Sequence, residues 1–243
     1  MIPQKIHKIL ITDDDTIPIR TGILDAIETW RVQNPSYEVI LYRHDDCRNY
    51  IREHYSETNY LQLFDKIKAH CYKTDLMRHL ILYNEGGWYS DARQVCLDSL
   101  DNILDYVGPT KKYITSYDLL FTGWINTSFI GSVAKHQASK KMIEHSMGNV
   151  ERSYYGENAV DICGPLAYTK AIVEFKNHDD VYLGQKIRHQ VIDGVGQALE
   201  CIHFGPIILL QCKYNNAAGG NCDDLPGGNN YNEFWISKTL YNP

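Results

Sequence analysis

The N-terminal part of the chain alternates between strand and helix patterns, and this order constrains the fold more than any other feature. Residues 5–12, KIHKILIT, form a short apolar run that predicts a buried strand. Apolar residues then recur at helical spacing from Thr21 until Asn34-Pro35 ends the helix. Residues 37–42, YEVILY, predict a second strand. Because short connections join these elements, the pattern favours an α/β fold with a mostly parallel central sheet flanked by helices.

Further elements follow along the 243-residue chain without an internal repeat or a domain boundary. We therefore expect a single domain over residues 1–243, large enough to bury a substantial core. Residues 213–232, with two Gly pairs and many Asn, predict a loop, which we expect to close over a site together with the tail to residue 243. Helical spacing predicts helices over residues 45–55, 60–70, 73–84, 135–145 and 166–175, and apolar runs predict strands from Trp88, over 111–119 and over 126–133.

The composition excludes several classes of function. The formal net charge is −6 and no Lys/Arg-rich run occurs, which argues against a nucleic-acid partner. No apolar run approaches the roughly 18 residues of a membrane span, and the N-terminus lacks a signal-peptide layout. The seven cysteines are scattered singly, which is typical of free thiols in a reducing compartment. We therefore expect a soluble, cytoplasmic protein.

The strongest local pattern is the helix that runs into Gly86-Gly87, since a glycine pair is typical of a helix C-cap. Residues three and four apart share one face of a helix. One face carries Leu76, Met77, Leu80 and Ile81, and the other carries Asp75, Arg78, His79 and Leu82. Two interpretations of the second face stay open. It is either solvated, with an Asp75–Arg78 ion pair worth a few tenths of a kcal/mol, or part of a polar pocket.

The strand after the glycine pair ends at Asp91-Ala92-Arg93, so a carboxylate and a guanidinium stand two residues apart. Ligands bind at the carboxyl ends of strands in open parallel sheets. Asp91 in this position is either a turn-forming residue or, with Asp75 and Arg78, the floor of a polar pocket.

Residues 69–95, AHCYKTDLMRHLILYNEGGWYSDARQV, resemble the DXD-type sugar transferases. This family includes the yeast initiating α-mannosyltransferase, capsular-polysaccharide transferases and, more distantly, the clostridial glucosylating toxins. The opening segment IPQKIHKI, residues 126–136 (NTSFIGSVAKH) and residues 163–169 (CGPLAYT) are similar to other motifs of that family.

The resemblance implies a GT-A fold, the nucleotide-diphospho-sugar transferase fold, and a reaction that retains the anomeric configuration of the donor. It also implies a nucleotide-diphosphate sugar as donor and a carbohydrate as acceptor. By family position, the donor sugar is bound by Asp75 and Arg78 with Tyr89 and Ser90 lining the pocket, the nucleotide lies near His7 and Ile9, and the anomeric centre lies near Asn126 and Asp161. For Asp161, a turn or cap role is the alternative.

The sequence departs from the family at the metal-binding motif. The family's Asp-x-Asp becomes Asp91-Ala92-Arg93, so an arginine replaces the second acid, which normally binds Mn²⁺ or Mg²⁺. The tail keeps Trp235 and Ser237 as a lid but lacks the family's histidine. Three interpretations follow: Arg93 takes over the metal's role at the diphosphate, the site has lost catalysis, or Asp91 alone keeps a weakly bound metal.

Two alternatives of other classes remain. The first is a catalytically inactive scaffold of the same fold that binds sugar nucleotides or glycans, which the arginine motivates. The second is a haloacid-dehalogenase-like phosphatase with Asp13 and Asp15 after the first strand, although a run of Asp there more often forms a loop. The second alternative leaves the motif around the glycine pair unexplained.

Overall fold

The computed structural model describes residues 1–119, 123–192, 198–212 and 231–242. The predicted Gly/Asn-rich lid loop, residues 213–232, therefore lies almost entirely outside the described residues. The strands are β1 (Lys5–Ile9), β2 (Glu38–Tyr42), β3 (Gly87–Ser90), β4 (Val95–Cys96), β5 (Tyr113–Tyr117), β6 (Phe129–Ser132), β7 (Val181–Ile192), β8 (Ala198–Phe204) and β9 (Ile207–Cys212). The helices are α1 (Thr21–Gln33), α2 (His44–His54), α3 (Tyr60–Lys66), α4 (His70–Glu85), α5 (Leu100–Val107), α6 (Gln137–Glu151), α7 (Pro165–Ile172) and α8 (Tyr231–Ile236).

All nine strands of the described ranges belong to one sheet, in the order β2-β1-β3-β6-β5-β7-β8-β9-β4. Strand β1 is parallel to both β2 and β3, and β5 is parallel to β7. The remaining pairs are antiparallel, so six strands run in one direction while β6, β8 and β4 run against them. The predicted α/β class with a mostly parallel sheet is confirmed.

Helix α4 packs between the sheet and α6, and this position buries both of its faces. Leu76 and Leu80 are fully buried, as expected for a core face, but Asp75 and Arg78 are 9% and 4% exposed. The solvated-face interpretation of Asp75 and Arg78 is therefore wrong. The helix ends at Gly86, whose φ of 71° is open to glycine at little cost, and an added Cβ there would lie 2.6 Å from the Ala134 nitrogen.

One predicted helix is too long, and several elements were not predicted. The helix predicted over residues 60–70 ends at Lys66, because Ile67 pairs with Tyr241 and the amide of Lys68 bonds to the Leu240 carbonyl. The pairing breaks the helix before α4 begins. The patterns also did not predict β4, α5, the hairpin strands β7–β9 or the 3-10 helices Ala159–Asp161 and Val173–Phe175.

Two clusters of buried apolar residues lie on the opposite faces of the sheet. One cluster includes Leu76, Leu80 and Tyr89. The other centres on Trp30, Trp88 and Phe129, and the rings of Trp88 and Phe129 stack with centroids 5.5 Å apart. Gly131 leaves the room for Trp88, because a Cβ on Gly131 would lie 2.5 Å from the indole ring. Within the described ranges, no helix combines the length and the hydropathy that a membrane crossing needs.

Candidate active site

The carboxyl ends of the parallel strands meet at one edge of the sheet, and a cavity of about 350 Å³ opens there. Asp91 and Arg93 follow β3, and Asp118 follows β5. Residues 126–128 precede β6, which runs in the opposite direction and so begins at the same edge. Helix α4 contributes its N-terminal half. The described residues that line the cavity are Cys71, Tyr72, Asp75, Asp91, Arg93, Gln94, Asp118, Asn126, Thr127, Ser128, Val160, Pro165, Lys186 and Tyr231.

Arg78 lies behind the cavity wall and contacts two of the acidic residues that line it, Asp75 and Asp91. Its Nη2 lies 2.6 Å from Oδ1 of Asp75, and its Nη1 lies 3.7 Å from Oδ1 of Asp91. Nη1 also donates to the carbonyl of Thr127, and the guanidinium packs 4.3 Å from the centre of the Tyr89 ring. Because all of these contacts come from buried or wall-forming groups, Arg78 fixes the positions of Asp75 and Asp91 relative to each other.

Burial dominates the electrostatics of this cluster. It raises the pKa of Asp75 to about 7, although Arg78 acts in the opposite direction. Burial opposes the charge of Arg78 as well, but Tyr89, Asp75 and Asp91 together raise the pKa of its guanidinium. Burial also holds the pKa of Tyr89 well above its usual value, and the Tyr89 hydroxyl donates to Asp91 Oδ1 at 2.7 Å.

Asp91 and Arg93 belong to one tight turn, residues 91–94, that connects β3 to β4. The amide of Gln94 donates to the Asp91 carbonyl at 3.0 Å, and the amide of Asp91 donates to the carbonyl of Ser128 at 3.0 Å. Asp is favoured at the first position of such a turn. Among the residues that the structure describes, Arg93 has no ion pair or hydrogen bond of its side chain, and it lines the cavity. The turn therefore presents an unneutralised guanidinium beside Asp91.

The family resemblance implies a divalent metal, and the donor set tests whether one fits. Magnesium and manganese take oxygen ligands, with one or two carboxylates from the protein. Asp91 remains, but its Oδ1 is engaged by Tyr89 and lies near Arg78. Arg93 occupies the place of the second acid. The described part of the chain has no group of three His, Cys, Asp or Glu side chains arranged to hold a metal. The motif fits a divalent cation poorly because a guanidinium stands beside its one partly engaged carboxylate, and like charges repel.

Asn126 lies on the cavity wall at the end of a chain of buried polar side chains. Its Oδ1 accepts from the hydroxyl of Ser128 at 2.9 Å, and its Nδ2 donates to Ser116 Oγ at 3.2 Å. The side-chain Nε2 of Gln94 donates to Ser128 Oγ at 2.8 Å, and Ser90 Oγ donates to Gln94 Oε1 at 2.7 Å. This chain links the turn of residues 91–94 to the segment before β6.

Asp161 does not reach the cavity with the other predicted catalytic residues. Its carboxylate is buried in the 3-10 helix Ala159–Asp161, where Lys170 Nζ lies 2.9 Å away. It also accepts from the Tyr154 hydroxyl and the Glu157 amide, each at 3.0 Å. Asn158 caps this 3-10 helix, so Asp161 has a structural role other than a cap, and its contacts hold the segment that places Val160 on the cavity wall.

The predicted nucleotide-binding residues, His7 and Ile9, lie inside the fold. Ile9 packs in the core, and His7 Nε2 lies 3.0 Å from the Gly86 carbonyl. Burial lowers the pKa of His7 to about 4, so its imidazole is neutral in the folded protein at neutral pH. Neither side chain is among the described residues that line the cavity. Tyr89 and Ser90 are likewise buried beneath the wall rather than exposed on it.

The predicted lid residues Trp235 and Ser237 also lie away from the cavity. The indole nitrogen of Trp235 donates to the Tyr155 carbonyl, and the hydroxyl of Ser237 donates to the Glu233 carbonyl at 2.7 Å. Helix α8 instead reaches the cavity through its first residue, Tyr231, whose ring lies 5.8 Å from that of Tyr72. Tyr231 belongs to the segment 213–232 that was predicted to close over a site, which is the sequence signal that could have identified it.

Asp13 and Asp15, the phosphatase alternative, have structural partners. Asp13 pairs with His70 at 2.9 Å, and Asp15 accepts from the amides of His44 and Asp45 at the start of α2. Of the fourteen described residues that line the cavity, the sequence assigned only Asp75, Asp91, Arg93 and Asn126 to the site, and Asp118, Ser128, Lys186 and Tyr231 are among those it missed. Asp118 directly follows β5, as Asp91 follows β3, but the strand predicted over residues 111–119 extended past Asp118 and so did not identify it.

Comparison with known proteins identifies the family. Residues 22–108 match the profile of a glycosyltransferase sugar-binding region containing a DXD motif. Over 181 residues, the chain is 33% identical to an uncharacterized glycosyltransferase of Acanthamoeba polyphaga mimivirus, and the alignment covers 74% of this chain and 68% of the viral protein. The chain belongs to this family of DXD-region glycosyltransferases. Membership overturns the phosphatase alternative.

Two further similarities are more distant. The chain is 30% identical over 155 residues to inositol phosphoceramide mannosyltransferase 2 of Schizosaccharomyces pombe, with coverage of 64% of this chain and 41% of the yeast protein. The fold is similar to that of the PaToxG glycosyltransferase, with a TM-score of 0.52, 17% identity and coverage of 72% of this chain and 70% of the other. This structural similarity confirms the GT-A fold.

Proposed function

We propose that the chain is a retaining glycosyltransferase that moves a sugar from a nucleotide-diphosphate donor to a hydroxyl group of a glycan. One observation carries the proposal. Asp75, Asp91, Arg93 and Asn126 come from three separate parts of the chain, and all four line one cavity at the carboxyl edge of the sheet. Family membership supports transferase chemistry at that edge.

In this proposal, the acidic wall binds the donor sugar. The carboxylate of Asp75 accepts hydrogen bonds from sugar hydroxyls, and Arg78 holds that carboxylate in place from behind. Because these acceptors are already held in place, they need no reorientation of their side chains when the substrate reacts. Asn126 lies across the cavity from α4, where an amide can donate to the sugar or to the incoming hydroxyl.

Arg93 binds the diphosphate in place of a metal. A guanidinium pairs bidentately with phosphate oxygens and stays charged at every working pH. As the acceptor hydroxyl forms its bond to the anomeric carbon, the bond from that carbon to the diphosphate oxygen breaks. The departing phosphate takes the hydroxyl proton, and Arg93 stabilises the negative charge that develops. The absence of a described counter-ion leaves Arg93 available for this role.

The experiment is a turnover assay with a panel of UDP- and GDP-sugars, with water and simple glycosides as acceptors. Nuclear magnetic resonance identifies the product and its anomeric configuration. We expect one donor to be consumed with retention, and Asp75→Asn to abolish consumption. Asp65→Asn is the matched control, because Asp65 pairs with Arg48 at 3.0 Å on a different surface.

A catalytically inactive scaffold of the same fold is the second candidate, favoured by the arginine in the motif. It predicts binding of a nucleotide sugar without turnover in the same assay. Consumption of the donor by wild-type protein but not by Asp75→Asn would exclude the scaffold. An inverted product would contradict the retaining mechanism.

A further inference from the structure

Lys8 lies on β1 directly beneath the turn of residues 91–94, and it is fully buried. Its Nζ donates to Ser90 Oγ at 2.9 Å and to the Asp91 carbonyl at 3.3 Å. The ammonium also lies 3.8 Å from the centre of the Trp30 ring. Each of these partners is neutral, and none is a carboxylate.

Burial lowers the pKa of Lys8 well below its usual value, so keeping a proton on this buried amine is costly for the fold. Removing a charge from water costs several kcal/mol unless an opposite charge compensates it. Within the described part of the chain, Lys8 has no ion pair, and its hydrogen bonds and the indole face compensate only in part. A methionine of similar length fills the same space without this cost. Residues that reduce the local stability of a fold are concentrated at functional sites.

The contacts of Lys8 converge on the turn that carries the two motif residues. The Asp91 carbonyl, which Lys8 contacts, also accepts the amide of Gln94 that closes the turn. Ser90, the other partner of Lys8, donates to the side chain of Gln94 at 2.7 Å. Lys8 is therefore bonded directly to the start of the turn and, through Ser90, to its end. Arg93 lies between these two fixed points.

We propose that Lys8 is a positioning residue of this glycosyltransferase, holding the turn of residues 91–94 so that Asp91 and Arg93 face the donor's diphosphate. The effect on donor binding rests on the proposed function. That Lys8 fixes the turn rests on the structure alone. Lys8 itself does not touch the substrate, because Ser90 and Asp91 separate it from the cavity.

The test is Lys8→Met, measured in three ways on the full chain. Urea unfolding reports stability, and hydrogen–deuterium exchange reports the turn through the amides of Asp91 and Gln94. Calorimetry reports the affinity for UDP and GDP. Lys66→Met is the matched control, because Lys66 Nζ also donates to two backbone carbonyls, those of Val150 and Glu151, at 2.9 Å and far from the cavity.

We expect the unfolding midpoint of Lys8→Met to be unchanged or higher, because a fully buried amine without a carboxylate partner is replaced by an apolar side chain. We expect faster exchange confined to the turn. We also expect the nucleotide dissociation constant to rise about tenfold, the size of one charged hydrogen bond that a loosened Arg93 no longer makes. The control should change neither exchange at the turn nor affinity. A purely structural lysine predicts the opposite pattern: lower stability, with unchanged affinity in the molecules that remain folded.

Two outcomes separate this proposal from the proposed function. If wild-type protein binds no nucleotide, the proposed function fails, whereas faster local exchange in Lys8→Met still supports the fixed turn. If wild-type protein binds and Lys8→Met binds equally well with an unchanged turn, the positioning role is overturned. Should Lys8→Met fail to fold, Ser90→Ala removes the same hydrogen bond while keeping the lysine. It should then loosen the turn and weaken binding in the same way.

Discussion

Arg78→Met tests how far the acidic wall of the cavity depends on one buried cation. The substitution keeps an apolar stem of similar length but removes the contacts to Asp75 at 2.6 Å and to Asp91 at 3.7 Å. It also leaves the Thr127 carbonyl without its donor. Breaking a buried ion pair by removing one partner costs about 3 to 5 kcal/mol. In a chain of this length, that corresponds to a fall in Tm of roughly 10 °C.

The loss of stability caused by Arg78→Met should increase as the pH rises. Burial raises the pKa of Asp75 to about 7 in the folded protein, against roughly 4 for an unfolded aspartate. The folded state therefore binds the extra proton, and Asp75 lowers stability progressively as the pH rises from about 4 to 7. Arg78 is the group that lowers this pKa. Without Arg78 the loss continues above pH 7, by about 1.4 kcal/mol for each further unit.

Urea unfolding followed by circular dichroism at about pH 5.5 and about pH 8.5 measures this effect. The destabilisation by Arg78→Met should be larger at the higher pH. The double variant Asp75→Asn/Arg78→Met should recover part of it, because the unpaired carboxylate is gone. Equal destabilisation at both pH values, or a double variant no more stable than Arg78→Met, would refute the argument that an uncompensated Asp75 carries the cost.

Three further changes have predictable effects on unfolding. Gly131→Ala forces a Cβ to 2.5 Å from Trp88 and should lower the urea midpoint by an equivalent of about 1 to 3 kcal/mol. Asp161→Ala removes the carboxylate bonded to Lys170 and should lower the thermal midpoint, while turnover per folded molecule changes little. The pKa of His7 is lowered to about 4 by burial, so wild-type stability falls as the pH drops from about 6.5 to 4, and His7→Gln should flatten that part of the profile of stability against pH.

The sequence predicted the part of the site that local patterns determine. A strand after a glycine pair identified Asp91 and Arg93, and helical spacing placed Asp75 and Arg78 on one face of α4. Spacing does not show what packs against each face, and both faces of α4 are buried because α6 covers the side away from the sheet. The burial of this charged pair therefore could not be derived from the sequence.

Residues distant along the chain account for most of what the sequence missed. Lys186 comes from the hairpin β7–β8, which has no strong local pattern, and it pairs across the hairpin with Glu200 at 3.2 Å. Trp235 is placed by its contact with the Tyr155 carbonyl, and Asp161 by its contact with Lys170. Each position depends on a long-range contact that family resemblance alone did not supply.

The proposed role of Arg93 is to take the place of a metal at the donor's diphosphate. Calorimetric titration of UDP and GDP, in EDTA and again with Mn²⁺, tests it most directly on wild-type protein, Arg93→Met and Arg93→Asp. Arg31→Met is the control, since Arg31 pairs only with Glu28 among the described residues, on an exposed turn of α1. We expect wild-type binding that survives EDTA, at least about tenfold weaker binding in Arg93→Met, and binding in Arg93→Asp that requires Mn²⁺. Wild-type binding that requires Mn²⁺ and is unchanged in Arg93→Met would contradict it.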